Sequence, residues 1–205
     1  MTHIGRSEKV FIMKKLLLIL ILTFCFQSWA KADDISDFQI EGISIGNSLL
    51  KFYKKNKIKK SIPKKQGYND NSFVRGLIRK KNLTTYDAIQ FHFKKNDKKY
   101  VLFNLAGILD FPNRIDDCNI KRAEITNDLS ELFKNARTKK NQKNNHPADK
   151  EKKSYVYTDY FYLKSGDAIR VQCYDWSKKS KVTDHLKITL DSGEYIDWMR
   201  NKAWK

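Results

Sequence analysis

Apolar side chains in residues 116–136 recur at helical spacing. Ile125, Leu129, Leu132, Phe133 and Ala136 fall on one stripe, and Cys118, seven residues before Ile125, shares it. Asp116 or Asp117 is placed to cap the amino end, and Lys134, Arg137, Lys139 and Lys140 suit the negative end of the helix dipole. Elsewhere the period drops to two. Ile89, Phe91 and Phe93 alternate with Gln90, His92 and Lys94, residues 95–98 turn, and residues 100–108 return, which predicts a hairpin. Residues 155–163 and 168–176 predict a second hairpin across a turn at 164–167. Leu186, Ile188 and Leu190 mark a further strand, and residues 193–204 a short closing helix.

Nearer the start, residues 36–50 read as a short strand, a glycine-bounded turn and the opening of a helix. Leu49, Phe52 and Tyr53 form one face of that helix, which stops before Pro63. Gly42 and Gly46 lack the lysine and the spacing of a phosphate loop. Residues 64–81 are ambiguous, with Phe73, Val74, Leu77 and Ile78 compatible with a strand. Residues 138–153 carry no large apolar side chain and are expected to form a long mobile loop. The order predicts an α+β fold: an antiparallel sheet of about five to seven strands against two main helices and a short C-terminal one. A tandem α-βββ arrangement is one form it could take.

The first residues change where this domain is placed. Met13-Lys14-Lys15, the apolar run 16–26 and Ala30-Lys31-Ala32 have the three parts of a secretory signal cleaved after Ala32. The apolar run is shorter than the roughly 20 residues a membrane span needs, so no stable span is expected after cleavage. An uncleaved anchor is the alternative. Phe24 precedes Cys25 where a lipoprotein signal would have a small residue, which argues against lipidation. Residues 1–12 precede a signal that is complete from Met13, so either translation starts at Met13 or the n-region is unusually long; residues 1–32 are expected to be an extension plus signal and residues 33–205 a single domain.

The chain carries 41 Lys and Arg against 23 Asp and Glu, a net charge of +18. A basic balance invites an anionic surface or polymer as partner. Only eight of the 41 basic residues are Arg, the side chain suited to bidentate phosphate and base contacts, so nucleic acid is disfavoured.

Signal removal leaves two cysteines, Cys118 and Cys173, both on apolar stripes, in an oxidising compartment. A disulfide is expected. The rival is a Cys173 nucleophile working with His185, which an oxidising compartment disfavours. His92, His146 and His185 are isolated and no metal-ligand spacing exists, so neither a metal nor a cofactor is expected. Asp184, His185 and Ser177 lie close in sequence and could supply a hydrolytic site, although no nucleophile elbow is present and turn chemistry explains Asp and Ser there equally well. The aromatic residues suggest more. On the strand at 155–163, Tyr155, Tyr157 and Phe161 point one way and Tyr160 and Tyr162 the other, beside Arg170, Tyr174 and Trp176 of the partner strand. Aromatic rings interleaved with a cation can stack sugars or bases or form a protein contact.

The segments DFQIEGISIGNSLL, QFHFKKNDKKY, SELFKN, HPADK and VQCYDWS resemble a family of small exported bacterial proteins of unassigned function, across nearly the whole mature chain. That resemblance implies export and no particular activity. More loosely, ISIGNS followed by a helix resembles the opening of BamE-type outer-membrane assembly lipoproteins and of β-lactamase-inhibitor-like domains. Those openings continue with a more acidic helix, and the lipoproteins carry a lipidation motif missing here. The expected function is a non-enzymatic binding or interaction module of the bacterial envelope, periplasmic or secreted, whose partner is an envelope protein or an anionic surface. The alternatives are a hydrolase around Ser177, His185 and Asp184, and an electrostatic binder of anionic polymer or lipid.

Overall fold

Alternating strands become a sheet only when their backbone groups find partners, and here they find them in two neighbouring meanders. The computed structural model describes residues 34–79 and 83–205. The signal expected at residues 13–32 lies outside the described residues. Strands β1 (Phe73–Arg79), β2 (Ala88–Lys94) and β3 (Asn104–Asp110) form the first meander. Strands β4 (Arg137–Asn145), β5 (Tyr155–Tyr162), β6 (Ala168–Asp175) and β7 (His185–Asp191) form the second. They join through β3 and β7 into one antiparallel seven-stranded sheet of order β1-β2-β3-β7-β6-β5-β4. The α+β class is therefore observed.

Side-chain alternation divides the sheet into an apolar face and a polar one. Ile89, Phe91, Leu105, Ile169, Val171, Leu186, Ile188 and Leu190 are buried on the apolar face. Each such burial stabilises the fold by roughly 1.5–3 kcal/mol. The amino-terminal segment packs into the same core through Ile40, Ile43 and Leu49. Its helix is shorter than the sequence suggests: a 3-10 turn at Leu49–Lys51 precedes α1 (Lys55–Lys60), whose one buried side chain is Ile58. Four lysines and Asn56 fill the rest of that segment, leaving no apolar stripe to hold a longer helix.

The long helix is α2 (Ile115–Leu132), and it buries Cys118, Arg122, Thr126 and Leu129. These positions lie on one stripe at steps of four, four and three. Cys118 and Cys173 form a disulfide, with Cα atoms 6.0 Å apart, fixing the first turn of α2 to β6. Neither Asp116 nor Asp117 caps the helix. Arg114 occupies the cap position without a side-chain bond to the helix backbone, and both acids stand inside the first turn, where they favour the dipole. Phe133 and Ala136 lie beyond the last helical residue, and Phe133 is still buried.

Residues 138–145, the first part of the stretch expected to be a mobile loop, belong with Arg137 to the edge strand β4, exposed along all nine residues. A polar segment can do this because its backbone pairs with β5 while its side chains need no core. A bulge between Lys139 and Gln142 breaks the register. Lysines on such an edge deter further strands from adding. Lys143 lies 4.3 Å from the Tyr155 ring centroid and Arg137 4.6 Å from that of Tyr162, so the edge is tied down by cation–π contacts. The chain closes with α3 (Gly193–Asn201), capped by Ser192. Its Tyr195 and Trp198 pack on Phe73 at one end of the polar face.

Candidate functional site: the polar face of the sheet

Residues paired across strands point to the same side, so the pairing register draws the polar face as rows. One row runs Arg75, His92, Asn104, Asp191, Ala168, Tyr162. The next runs Gln90, Ala106, Thr189, Arg170, Tyr160. A third runs Ile108, Lys187, Gln172, Thr158, and Tyr174 opposite His185 belongs to the fourth. Tyr160, Tyr162, Arg170 and Tyr174 therefore share this face, as their alternation predicts. Each is half-buried, touching its neighbours while solvent still reaches it. Trp176 follows the end of β6. Its ring lies nearly parallel to that of Tyr174 at 6.2 Å and 4.3 Å from His146.

Arg170 is held in place. Its Nε donates to Asp191 Oδ2 at 2.6 Å and a terminal nitrogen donates to Asp191 Oδ1 at 3.1 Å. Asp191 is buried and also accepts from Asn104 Nδ2 at 2.6 Å. That bond orients the Asn104 amide so that its oxygen meets His92 Nδ1 at 2.7 Å. His92 Nδ1 must then carry the proton, which leaves Nε2 as an acceptor for the hydroxyls of Tyr68 at 3.0 Å and Tyr195 at 3.2 Å. Burial disfavours the imidazolium and pushes His92 down to about 3, although the Asn104 bond opposes the shift. His92 is a neutral member of a buried chain that ends at Arg170.

Lys187 stands beside this chain, one row from Arg170. Burial and the Arg170 charge push its ammonium down to about 7, with Asp191 opposing. Thr189, between them on β7, is fully buried, and its Oγ1 has no hydrogen-bond partner among the described residues. Lys187, Thr189, Asp191 and Asn104 are not singled out by the sequence, and His92 stands out there only as an isolated histidine. Their signal was present in the alternation of β7, where Lys187, Thr189 and Asp191 interleave with Leu186, Ile188 and Leu190. Which strands flank β7 was not.

The residues of the alternative hydrolytic site are engaged separately. Asp184 Oδ1 accepts from the Trp176 backbone N–H at 2.7 Å. His185 Nδ1 contacts the Thr183 carbonyl at 2.8 Å, and its ring stacks on Tyr174 at 4.6 Å. The Ser177 N–H donates to Ser154 Oγ at 3.0 Å. Among the described residues no hydrogen bond joins Ser177 to His185. Among the described residues no group of three or more His, Cys, Asp or Glu is disposed to hold a metal ion, and no helix among them is long and apolar enough to cross a membrane. A cleft of about 700 Å³ opens at the far end of the sheet, and its lining includes Asp70, Lys94, Asp97, Glu194 and Lys202. It is separate from the Tyr160–Arg170 rows. Comparison of the chain with protein-family models, with curated proteins and with solved structures finds no match in any of the three.

Proposed function

We propose that this chain is an exported binding module of the bacterial envelope, and that the polar face around Tyr160, Tyr162, Arg170 and Tyr174, with Trp176 at its margin, is where it binds. The observation that carries this reading is the fixed guanidinium of Arg170, clamped by Asp191 among half-buried aromatic rings. Rigid aromatic and arginine side chains lose little conformational freedom on binding and are the residue types that dominate binding energetics. Tyr160 and Tyr162 lie parallel at 5.6 Å, so their orientation is set before any partner arrives. The Cys118–Cys173 disulfide fits an oxidising compartment and supports export.

The test is a screen of the mature protein against peptidoglycan fragments, lipopolysaccharide and acidic polysaccharides, read by backbone amide shifts. At least one component should perturb β5, β6 and β7 at the polar-face rows, and Tyr160→Ala with Tyr174→Ala should weaken it tenfold or more. Perturbations confined to another surface would overturn the assignment of the face. Export is checked separately by the amino-terminal mass of the secreted protein, which should begin at Asp33.

A further inference from the structure

The polar face carries more positive charge than its own carboxylates balance. Asp191 is taken up by Arg170 and Asn104. Asp110, one row beyond Lys187, is paired with Arg79 at 3.1 Å. Lys187 is half-buried on the central strand β7, and its ammonium makes no hydrogen bond or ion pair among the described residues. A lysine so placed loses hydration without gaining a counter-charge, which is costly unless something supplies one. Of the charges that act on it across the face, Arg170 and Arg75 repel it, and Asp191, which attracts it, is already engaged by Arg170.

Unused donors occupy the neighbouring register positions. Arg170 has five N–H donors and gives two to Asp191, leaving three. Lys187 has three. Thr189 lies between them, directly opposite Arg170, buried and with its hydroxyl oxygen unpartnered among the described residues. Neighbouring strands stand about 4.8 Å apart, so groups on adjacent strands of this face can reach one small anion together. Gln172, opposite Lys187, is already occupied by Thr158 and Tyr174 and forms a settled wall.

We propose that Lys187, Arg170 and Thr189 form a subsite for an oxyanion, a carboxylate, phosphate or sulfate group, of the ligand that this face takes. The proposal rests on the reading of the face as a binding surface and specifies the chemistry recognised there. The anion would supply the charge Lys187 lacks, accept from the spare Arg170 donors, and leave the neutral tyrosines to contact the remainder of the ligand.

The experiment titrates sodium phosphate, sodium sulfate and sodium acetate separately into the mature protein at constant ionic strength held with chloride. Backbone amides and the Lys187 Nζ signal are followed together. Saturable shifts at Lys187, Thr189 and Arg170 are expected with at least one anion, and the anion that saturates tells a phosphorylated, sulfated or carboxylated ligand apart. Lys187→Met, which keeps the length of the side chain, should weaken the response tenfold or more, while Lys59→Met on α1 should leave it unchanged. If Lys187→Met does not fold, the Nζ signal of the native protein decides: an unmoved signal overturns the subsite. Non-saturating shifts spread over surface lysines, or an undiminished response in folded Lys187→Met, overturn it as well. Should all three anions fail while an envelope component still maps to the tyrosine rows, the subsite falls and the binding face stands. If nothing maps there, both fall.

Discussion

The Arg122 guanidinium, from the middle of α2, donates to the Asp159 carboxylate of β5 in the interior of the protein. Both side chains are almost completely buried, on the face that otherwise holds the apolar core. Asp159 is fully engaged: Thr126 Oγ1 donates to it at 2.7 Å and the Asn141 backbone N–H at 2.6 Å. Asn141 sits in the β4 bulge with φ of 56°, so this carboxylate also fixes where the edge strand bends. Removing one partner of a buried pair strands the other charge. Asp159→Ala should therefore destabilise the protein by about 3–5 kcal/mol in chemical denaturation. Loss of Arg122 from the Asp159→Ala background should cost much less than loss of Arg122 alone; equal costs would show the two side chains to be uncoupled.

The disulfide joins elements 55 residues apart in sequence. Chain-entropy reasoning gives about 4 kcal/mol for closing a loop of that length. Non-reducing mass mapping should recover one Cys118–Cys173 peptide pair, and the Cys118→Ser, Cys173→Ser double variant should unfold at markedly lower denaturant.

His92 makes stability pH-dependent. Its folded pKa is lowered to about 3, while in the unfolded chain it titrates near 6.5. Below pH 6.5 the unfolded chain binds a proton the folded one refuses, so stability is lost as pH falls from about 6.5 towards 3. The loss runs at up to about 1.4 kcal/mol per pH unit. Equilibrium unfolding of His92→Gln should show lower stability at pH 7 and a flatter dependence across that window. An identical slope in the variant would mean that other groups carry the acid sensitivity.

Gly76 marks a close approach between β1 and its neighbour. A Cβ there would come within 2.3 Å of the Phe91 ring, which is fully buried. Gly76→Ala must displace that ring from the core. The expected cost is about 1–3 kcal/mol, read as a lowered midpoint in thermal or chemical unfolding. An unchanged midpoint would show that Phe91 can move aside without loss.

Local periodicity carried a good part of this protein. Alternation placed β2, β5, β6 and β7 within a few residues and sorted the faces of β5 and β6 correctly, because side-chain direction in a strand follows from the backbone alone. Cys118 and Cys173 could be read as core positions for the same reason. The α2 stripe was legible through Cys118 and Leu129, but Arg122 and Thr126 were passed over as polar, since their burial depends on Asp159 lying opposite. Strand β4 was hidden because its residues have no apolar period; its existence rests on the hydrogen bonds β5 offers.

The polar face divides along the same line. Tyr160, Tyr162, Arg170 and Tyr174 could be grouped because they belong to one hairpin. Lys187, Thr189 and Asp191 joined them only when β7 paired with β6 on one side and β3 on the other, bringing Asn104 and His92 into the row. Sequence alone determined which side of its own strand each residue occupies, a matter of backbone geometry. Tertiary structure decided which strands lie side by side, and so which charges meet. That choice depends on the whole chain burying one apolar face at once, and no short stretch of residues records it.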